Sequence, residues 1–320
     1  MPDPSLEPGA APGTAAEGVP RWPARVQARW ELLPANLRGG LWYLAGAALL
    51  SVMLALIKLA GQSLHVTEIL FFRQLTMAAV AAPVLWHGFP GALRTARPDL
   101  QVARILLAFG AMTLGFSAVI HLPLAVATTL GFTKTFFMTV AGMFLLGEIV
   151  RARRWAALAA GFAGVLVILW PHGSGEFSLY GLASIGSAAM VALVLVLIRR
   201  LSRVDRPVTI LAWQAIGVGV LMFVPMLFFW RTPTPGEAGL LLAIGLVSAA
   251  GQYINILALR AGETSALAPL DFSRLVFALL LGFAIFAEWP EPRTFLGAGV
   301  IVGAAIYTLH RERRTGRAAG

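Results

Sequence analysis

Four basic residues lie inside long apolar runs of this 320-residue chain: Lys58 in LALIKLAGQ, Arg73 in ILFFRQLT, Lys134 in TLGFTKTFF and Arg274 in LDFSRLVF. A charge at the centre of a bilayer costs roughly 2.5–3.5 kcal/mol on insertion scales, so an ionisable residue in such a run defaults to facing a cavity, a partner or a substrate. Acids in comparable settings are fewer: Asp271 in mid-run, Glu68 near one end of its run, and Glu148 and Glu288 at run termini. The excess of cations predicts a cavity for a substrate carrying a carboxylate, a phosphate or another anionic group, anionic or zwitterionic as a whole. Lys134 and Arg274 are expected to meet that group.

Each charge has a structural alternative. Arg274 follows Asp271 by three residues on one helical face, so a self-contained ion pair competes with substrate contact. Lys134 has no acid within a turn of it. Arg73 stands about two turns into its run, where snorkelling to the headgroups, aided by Glu68, is the alternative. Lys58, near a run end, fits an interfacial anchor as well as a ligand. Neutral hydrogen-bonding groups add Gln252, Tyr253, Asn255, Trp213, Gln214 and Gln74, for which interhelical bonds are the alternative. The expected substrate-binding set is Lys134, Arg274, Arg73, Asp271, Lys58, Gln252 and Tyr253. Glu148 and Glu288 sit where a helix macrodipole disfavours an anion. They are expected in structural links to the next helix's N-terminus or to Arg151, Arg153, Arg154 or Arg293.

The elements that hold these residues follow from composition. Hydrophobic residues make up 58% of the chain and charged ones 12%, with a mean hydropathy of +0.78; a soluble domain carries about 25% charged residues. Crossing a hydrocarbon core of about 30 Å takes about 20 apolar residues. Ten candidate spans fit, at 40–60, 66–86, 102–120, 123–146, 154–170, 178–198, 207–230, 238–258, 264–286 and 294–310. Residues 1–20, rich in Pro, Ala and Gly, read as a disordered tail, and 21–30 as an interfacial segment. No basic start followed by an apolar stretch marks a signal peptide.

Charge placement sets an orientation. With the N-terminus inside, the inner segments hold 19 of the 25 basic residues (Arg104 among them), the outer segments only Arg231 and Arg293, and the spans the remaining four. This is the positive-inside asymmetry for ten spans with both termini in the cytoplasm. It also accounts for the net charge of +10 without nucleic acid, which is not an expected partner.

Sliding the chain by 140 residues lays 118–153 over 258–293 without a gap: Ala118 on Ala258, Leu130 on Leu270, Phe132 on Phe272, Phe137 on Phe277, Gly142 on Gly282, Glu148 on Glu288 and Arg153 on Arg293, with Thr133 and Lys134 on Ser273 and Arg274. Five spans per half force the second copy to insert upside down, the inverted-repeat plan of many secondary transporters. The expected fold is an all-α integral membrane protein of ten transmembrane helices in two inverted five-helix repeats. The expected division is a cytoplasmic tail 1–38, a first repeat 39–171, a second repeat 177–310 and a basic tail 311–320.

With these residues assembled, the chain resembles the drug/metabolite transporter superfamily, as a protein with two tandem EamA domains. The likeness covers about 38–310. It rests on LALIKLAGQ, ILFFRQLTMAA, HLPLAVATT and FLLGEIVRARRWAALAAGFAGVLVI in the first half, and on ILALRAGETSALAPL and FAIFAEWPEPRTFLGAGVIVGAAIY in the second. LLGE followed by a basic turn and a Gly-rich span is its most specific part. TTLGFTKTFF departs from the pattern, since many relatives have a proline there. The resemblance implies a ten-helix bundle, a central cavity between the halves and alternating access. The first-span Lys and second-span Arg are similar to subgroups described as uptake carriers for cofactor-like metabolites such as S-adenosylmethionine or riboflavin.

The expected function is secondary, non-ATP transport of a small metabolite across a bacterial-type inner membrane, at a midplane cavity. No cofactor is expected. The alternative is a membrane-embedded enzyme or regulatory scaffold without transport. Enzymatic motifs are not apparent: there is no cysteine, the histidines (His65, His87, His121, His172, His310) fall at span ends or in connections, and no GxxxxGK[ST] stretch occurs. Proton coupling through Glu68 or Asp271 stays open beside facilitated diffusion and exchange. Small residues at Ala160 and Gly164, and at Gly299 and Gly303, suit close helix approach within the fold or in a homodimer.

Overall fold

The computed structural model describes residues 33, 35–88, 93–146, 152–169, 179–202, 204–205, 207–261 and 268–303. The segments 1–20 and 21–30, the tail 311–320, Glu148, Arg151, His172 and His310 lie outside the described residues. Among those described, the regular elements are helical: α1 Ala35–Ala60, α2 Val66–Gly88, α3 Pro98–His121, α4 Leu124–Gly131, α5 Lys134–Leu146, α6 Ala152–Leu169, α7 Leu179–Leu201, α8 Pro207–Phe228, α9 Pro235–Ala261, a 3-10 segment Ala268–Phe272, α10 Ser273–Phe286 and α11 over 292–303. Helices satisfy their own backbone hydrogen bonds, which hydrocarbon cannot do for them. Four stretches, Leu37–Ala60, Pro98–His121, Leu179–Ile198 and Pro235–Ala258, are long and apolar enough to cross a membrane. The chain is an all-helical integral membrane protein.

The connections gather at two ends. At one, which we call the 61–65 end, His65 stacks on Phe229 at 3.9 Å, His121 stacks on Tyr180 at 3.8 Å and Arg231 donates to Ser63 O. At the other, the 93–97 end, Thr95 and Ala96 bond to Asp205, and the Trp213 indole donates to Leu93 O. Helix starts carry local signals. Pro98 opens α3, and at α9 Thr234 and Glu237 form a reciprocal capping box around Pro235, the glutamate accepting from the Thr234 N–H at 2.8 Å.

Two helices expected to be continuous are interrupted. The stretch read as 123–146 is α4 and α5 with a break at Phe132–Thr133, and the stretch read as 264–286 is the 3-10 segment running into α10. The breaks lie 140 residues apart and share one backbone conformation: Phe132 has φ −68° and ψ −16°, Phe272 φ −69° and ψ −16°. A ψ this close to zero is that of a 3-10 turn. Thr133 supplies the local cause, since its N–H and its hydroxyl both turn to Leu130 O, at 3.1 and 2.6 Å, a side chain competing for the helix's own acceptor. The two phenylalanine rings meet edge to face, centroids 5.0 Å apart, in a core cluster with Leu130, Phe136, Val165 and Ile301.

Packing pairs α1 with α9 and α3 with α7 most extensively, α2 with α8 across the middle, α2 with α9 and α3 with α8, α10 with α1 and α5 with α7, and α4 with α10. Small residues allow the closest of these approaches. A Cβ on Gly46 would lie 2.4 Å from Asn255 Oδ1, and one on Gly115 2.6 Å from Ser187 Oγ. On the fifth and tenth expected spans, Gly164 lies against α11, where an added Cβ would be 2.9 Å from Gly297 O. A Cβ added at Gly299 or Gly303 would meet nothing within 4 Å outside its own helix among the described residues.

Candidate functional site

The two breaks aim charges at one another. Asp271 is the penultimate residue of the 3-10 segment, Arg274 follows in the first turn of α10, and Lys134 opens α5 at the equivalent place after the other break. Lys134 Nζ reaches Asp271 Oδ2 at 3.0 Å, and Arg274 Nε lies 3.0 Å from Asp271 Oδ1. The Tyr43 hydroxyl of α1 donates to Oδ1 at 3.0 Å. The three charged side chains retain 19–27% of their exposure. Among the described residues one carboxylate thus faces two cations, leaving one positive charge in excess. The Arg274–Asp271 contact is ionic rather than a well-aligned hydrogen bond, because Arg274 Nε has no hydrogen-bond partner. Ser273 Oγ, next to Arg274 in the chain, and Asn255 Oδ1 on α9, which lies against Gly46 of α1, are also buried without one. Buried polar atoms are satisfied in the great majority of cases, so such a group of exceptions fits a site that takes a polar ligand.

Lys58 is not at this site. It is buried near the 61–65 end, ion-paired with Glu288 and bonded to Leu122 O at 2.5 Å, with the Phe286 ring 5.1 Å away. Glu288 also accepts the Leu124 N–H at 2.9 Å, so its carboxylate caps the start of α4, where an anion is favoured. Ala287 turns the chain into this position with φ 52°, ending α10 in the left-handed region. The helix that Glu288 links to is therefore α4, in the other half of the chain, and not the helix that follows it.

Arg73 forms a third group. It is 5% exposed; Nε donates to Ser248 Oγ and Nη1 to Gln74 Oε1, both at 2.9 Å, and the guanidinium lies 5.6 Å from the Phe116 ring centre. No carboxylate pairs with it among the described residues. Its helix also borders a groove of about 330 Å³ between α2 and α8, lined by Phe71, Gln74, Gly219 and Phe223. Gln252 contacts Met77 Sδ at 3.6 Å, and Tyr253 is 48% exposed. Neither Gln252, Arg73 nor Lys58 is hydrogen-bonded to the Asp271 group.

One polar group was missed in the sequence. Arg104, counted there with the inner connections, is wholly buried seven residues into α3. It donates to Gln214 Oε1 at 2.7 Å, to Ile210 O at 2.8 Å and to Gln101 Oε1, while Gln101 Nε2 donates to Asp205 at 2.9 Å. The available signal was position, since Arg104 falls inside the expected third span. Burial pushes the Asp205 carboxyl up, but hydrogen bonds from Thr95, the Ala96 N–H and Gln101 outweigh it and hold the group below its ordinary value of 3.8. A carboxylate depressed in the folded state stabilises above its unfolded value and loses that contribution as pH falls through the folded one. The margin of wild type over Asp205→Asn in thermal unfolding is expected to be full above about pH 5 and to disappear as the pH is lowered below 3.8. A margin independent of pH would contradict this.

The comparisons with known proteins agree on the kind of molecule. Residues 179–309 match the EamA-like transporter family. The chain is 27% identical to an S-adenosylmethionine uptake transporter of Rickettsia prowazekii, over 89% of this chain and 97% of that protein. It is 28% identical to a riboflavin transporter of Brucella anthropi, over 78% and 90%. It is 31% identical to a pseudopaline exporter of Pseudomonas aeruginosa, over 82% and 93%. One crystal structure shares the fold with a TM-score of 0.60 at 21% identity, over 87% of this chain and 98% of the other. Its length, its helices and these likenesses together establish that the chain belongs to the EamA-like transporter family of the drug/metabolite transporter superfamily, as a multi-pass membrane protein.

Proposed function

We propose that this protein is a secondary carrier for a small zwitterionic metabolite. In this reading Lys134 and Arg274 receive the substrate's carboxylate, and Asp271 holds an ammonium or sulfonium centre beside it. The observation that carries the reading is the Asp271 group itself: two cations from the two halves of the chain on one carboxylate, with Arg274 Nε and Ser273 Oγ left without a hydrogen bond. Its excess of one positive charge suits a carboxylate, and the lone acid suits a neighbouring cation. S-adenosylmethionine, carried by one relative, has both features. Arg73, without a carboxylate partner among the described residues, is a second station on the path, and Gln252 and Tyr253 are further lining candidates.

The architecture we infer is two inverted five-helix units, roughly 39–171 and 177–310, that rock around this group in alternating access. Several observations support it. The helix contacts exchange in pairs when the halves are swapped, α1 with α9 against α7 with α3, and α10 with α1 against α5 with α7. The close approach of Gly46 to Asn255 recurs 140 residues on, around Gly186 and Gly115. Ends also alternate: α1 runs towards the 61–65 end and α7 away from it. With the basic connections placed inside, the 61–65 end faces outward, the termini are cytoplasmic and the membrane is the bacterial inner one.

The test is flux into liposomes holding the purified protein. Labelled S-adenosylmethionine and riboflavin are compared with a purely cationic solute, in wild type, Lys134→Ala and Arg274→Ala. Saturable uptake of a carboxylate-bearing solute, reduced at least about tenfold in each variant, is expected, the loss of one charged contact being worth about 1.4 kcal/mol or more. Uptake unchanged in both variants removes these residues from the site, and no flux of any solute favours a scaffold.

A further inference from the structure

We infer that Glu68 is the proton-binding group of this carrier, taking a proton from the solution at the 61–65 end and giving it back when that end opens. This inference rests on the transporter reading and adds a coupling ion to it.

Glu68 lies in the first turn of α2, and no part of the residue is exposed. Neither carboxylate oxygen has a hydrogen-bond partner among the described residues. The other acids deep in the bundle are committed. Asp271 faces Lys134, Arg274 and Tyr43, and Glu288 faces Lys58 and the Leu124 N–H. A carboxylate desolvated without partners costs several kcal/mol as an anion, whereas its neutral acid costs far less. In this conformation the group is therefore held as the acid.

Arg231 approaches Glu68 with its backbone N–H as well as its charge, without closing a hydrogen bond to either carboxylate oxygen. Arg231 and Glu237 bear on Glu68 with opposite signs, and Arg231 is engaged by Ser63 O at 3.0 Å and by Glu237 at 3.9 Å. His65 is stacked on Phe229 and bonded to Thr67. On the same helix, Arg73 lies deeper and is held by Ser248 and Gln74. From α1 the nearest cation is Lys58, paired with Glu288, and from α3 the titratable group at this end is His121, stacked on Tyr180. Flanking Glu68, Val66, Ile69 and Leu70 pack into apolar clusters with side chains of α1, α3, α8 and α9.

The chemistry is a single protonation: carboxylate plus a proton from outer water gives the acid, with no other bond made or broken. Opening the 61–65 end would hydrate the group and favour the anion. That difference in proton affinity between two conformations is what couples a gradient to transport, since a ligand shifts an equilibrium only by its differential affinity.

Three measurements on the full-length protein decide the matter. Infrared spectra in lipid near neutral pH should show a protonated-carboxyl band that Glu68→Gln removes; this arm needs no substrate. Counterflow of labelled S-adenosylmethionine at equal pH on both sides should agree within about twofold between wild type and Glu68→Gln. With one pH unit across the membrane, wild type should accumulate the label up to about tenfold for one proton per substrate, and the variant not at all. No such band, a band that survives in Glu68→Gln, or gradient-driven accumulation retained in the variant overturns the inference. Absent counterflow in wild type instead counts against the proposed transport of this solute, and the infrared arm still decides the role of Glu68.

Discussion

Asp271→Asn is expected to lower substrate flux about 100-fold and to destabilise the protein by about 2–3 kcal/mol. The residue is the shared counter-charge of Lys134 and Arg274. Its removal leaves two like charges a few ångströms apart with only a neutral amide between them. Losing one partner of a buried pair typically costs about 3–5 kcal/mol; the 19–27% exposure of these side chains argues for a value below that range. A 100-fold fall in rate corresponds to about 2.7 kcal/mol. Asp271→Glu keeps the charge and should retain flux within about tenfold. The double variant Asp271→Asn/Lys134→Met should be more stable than Asp271→Asn alone, because it discards one of the stranded cations, with a coupling energy of about 1–3 kcal/mol. Detergent-solubilised unfolding and liposome flux measure both effects. Independent, additive losses would show that the three groups do not act together.

Glu288→Gln should destabilise the fold by about 3–4 kcal/mol, more than Lys58→Met does. The asymmetry follows from what each change strands. Without Glu288, Lys58, with side-chain exposure of 9%, loses its counter-charge and keeps only Leu122 O as a hydrogen-bond acceptor among the described residues, and α4 loses the anion at its N-terminus. Without Lys58, Glu288 is 21% exposed and still accepts the Leu124 N–H. At about 2–4 °C per kcal/mol for a chain of some 150–250 residues, the first variant should lose roughly 6–16 °C in unfolding temperature. Replacing both residues should recover part of that loss. Equal losses for the two single variants would contradict the asymmetry.

Much of the molecule could be read in one dimension. The family, the membrane class and the helical content follow from runs of apolar residues and a few local motifs, and the pair Asp271–Arg274 follows from a three-residue spacing that any helix brings onto one face. The 140-residue offset aligned Phe132 with Phe272, but both stretches read as continuous spans, although the second carries Pro269 three residues before its break. The breaks themselves were missed. Their cause, in the first case, is a hydroxyl of Thr133 turning to Leu130 O, and threonine is found as readily in unbroken helices. Arg104 was misplaced for a related reason: charge counting treats the end of a span as a boundary, whereas α3 carries this arginine wholly buried among Gln101, Gln214 and Ile210 O.

What sequence alone determined was therefore everything carried by short-range periodicity: an apolar, multi-helix chain of this family, with a handful of cations in costly positions. Which partner each cation has was decided by the tertiary fold. Lys134 meets Asp271 across 137 residues, Tyr43 meets it across 228, and Lys58 meets Glu288 across 230. A helix constrains neighbours three and four residues apart, but ion pairs between helices depend on which faces pack and at what depth. Those are properties of the assembled bundle that no single run of residues contains.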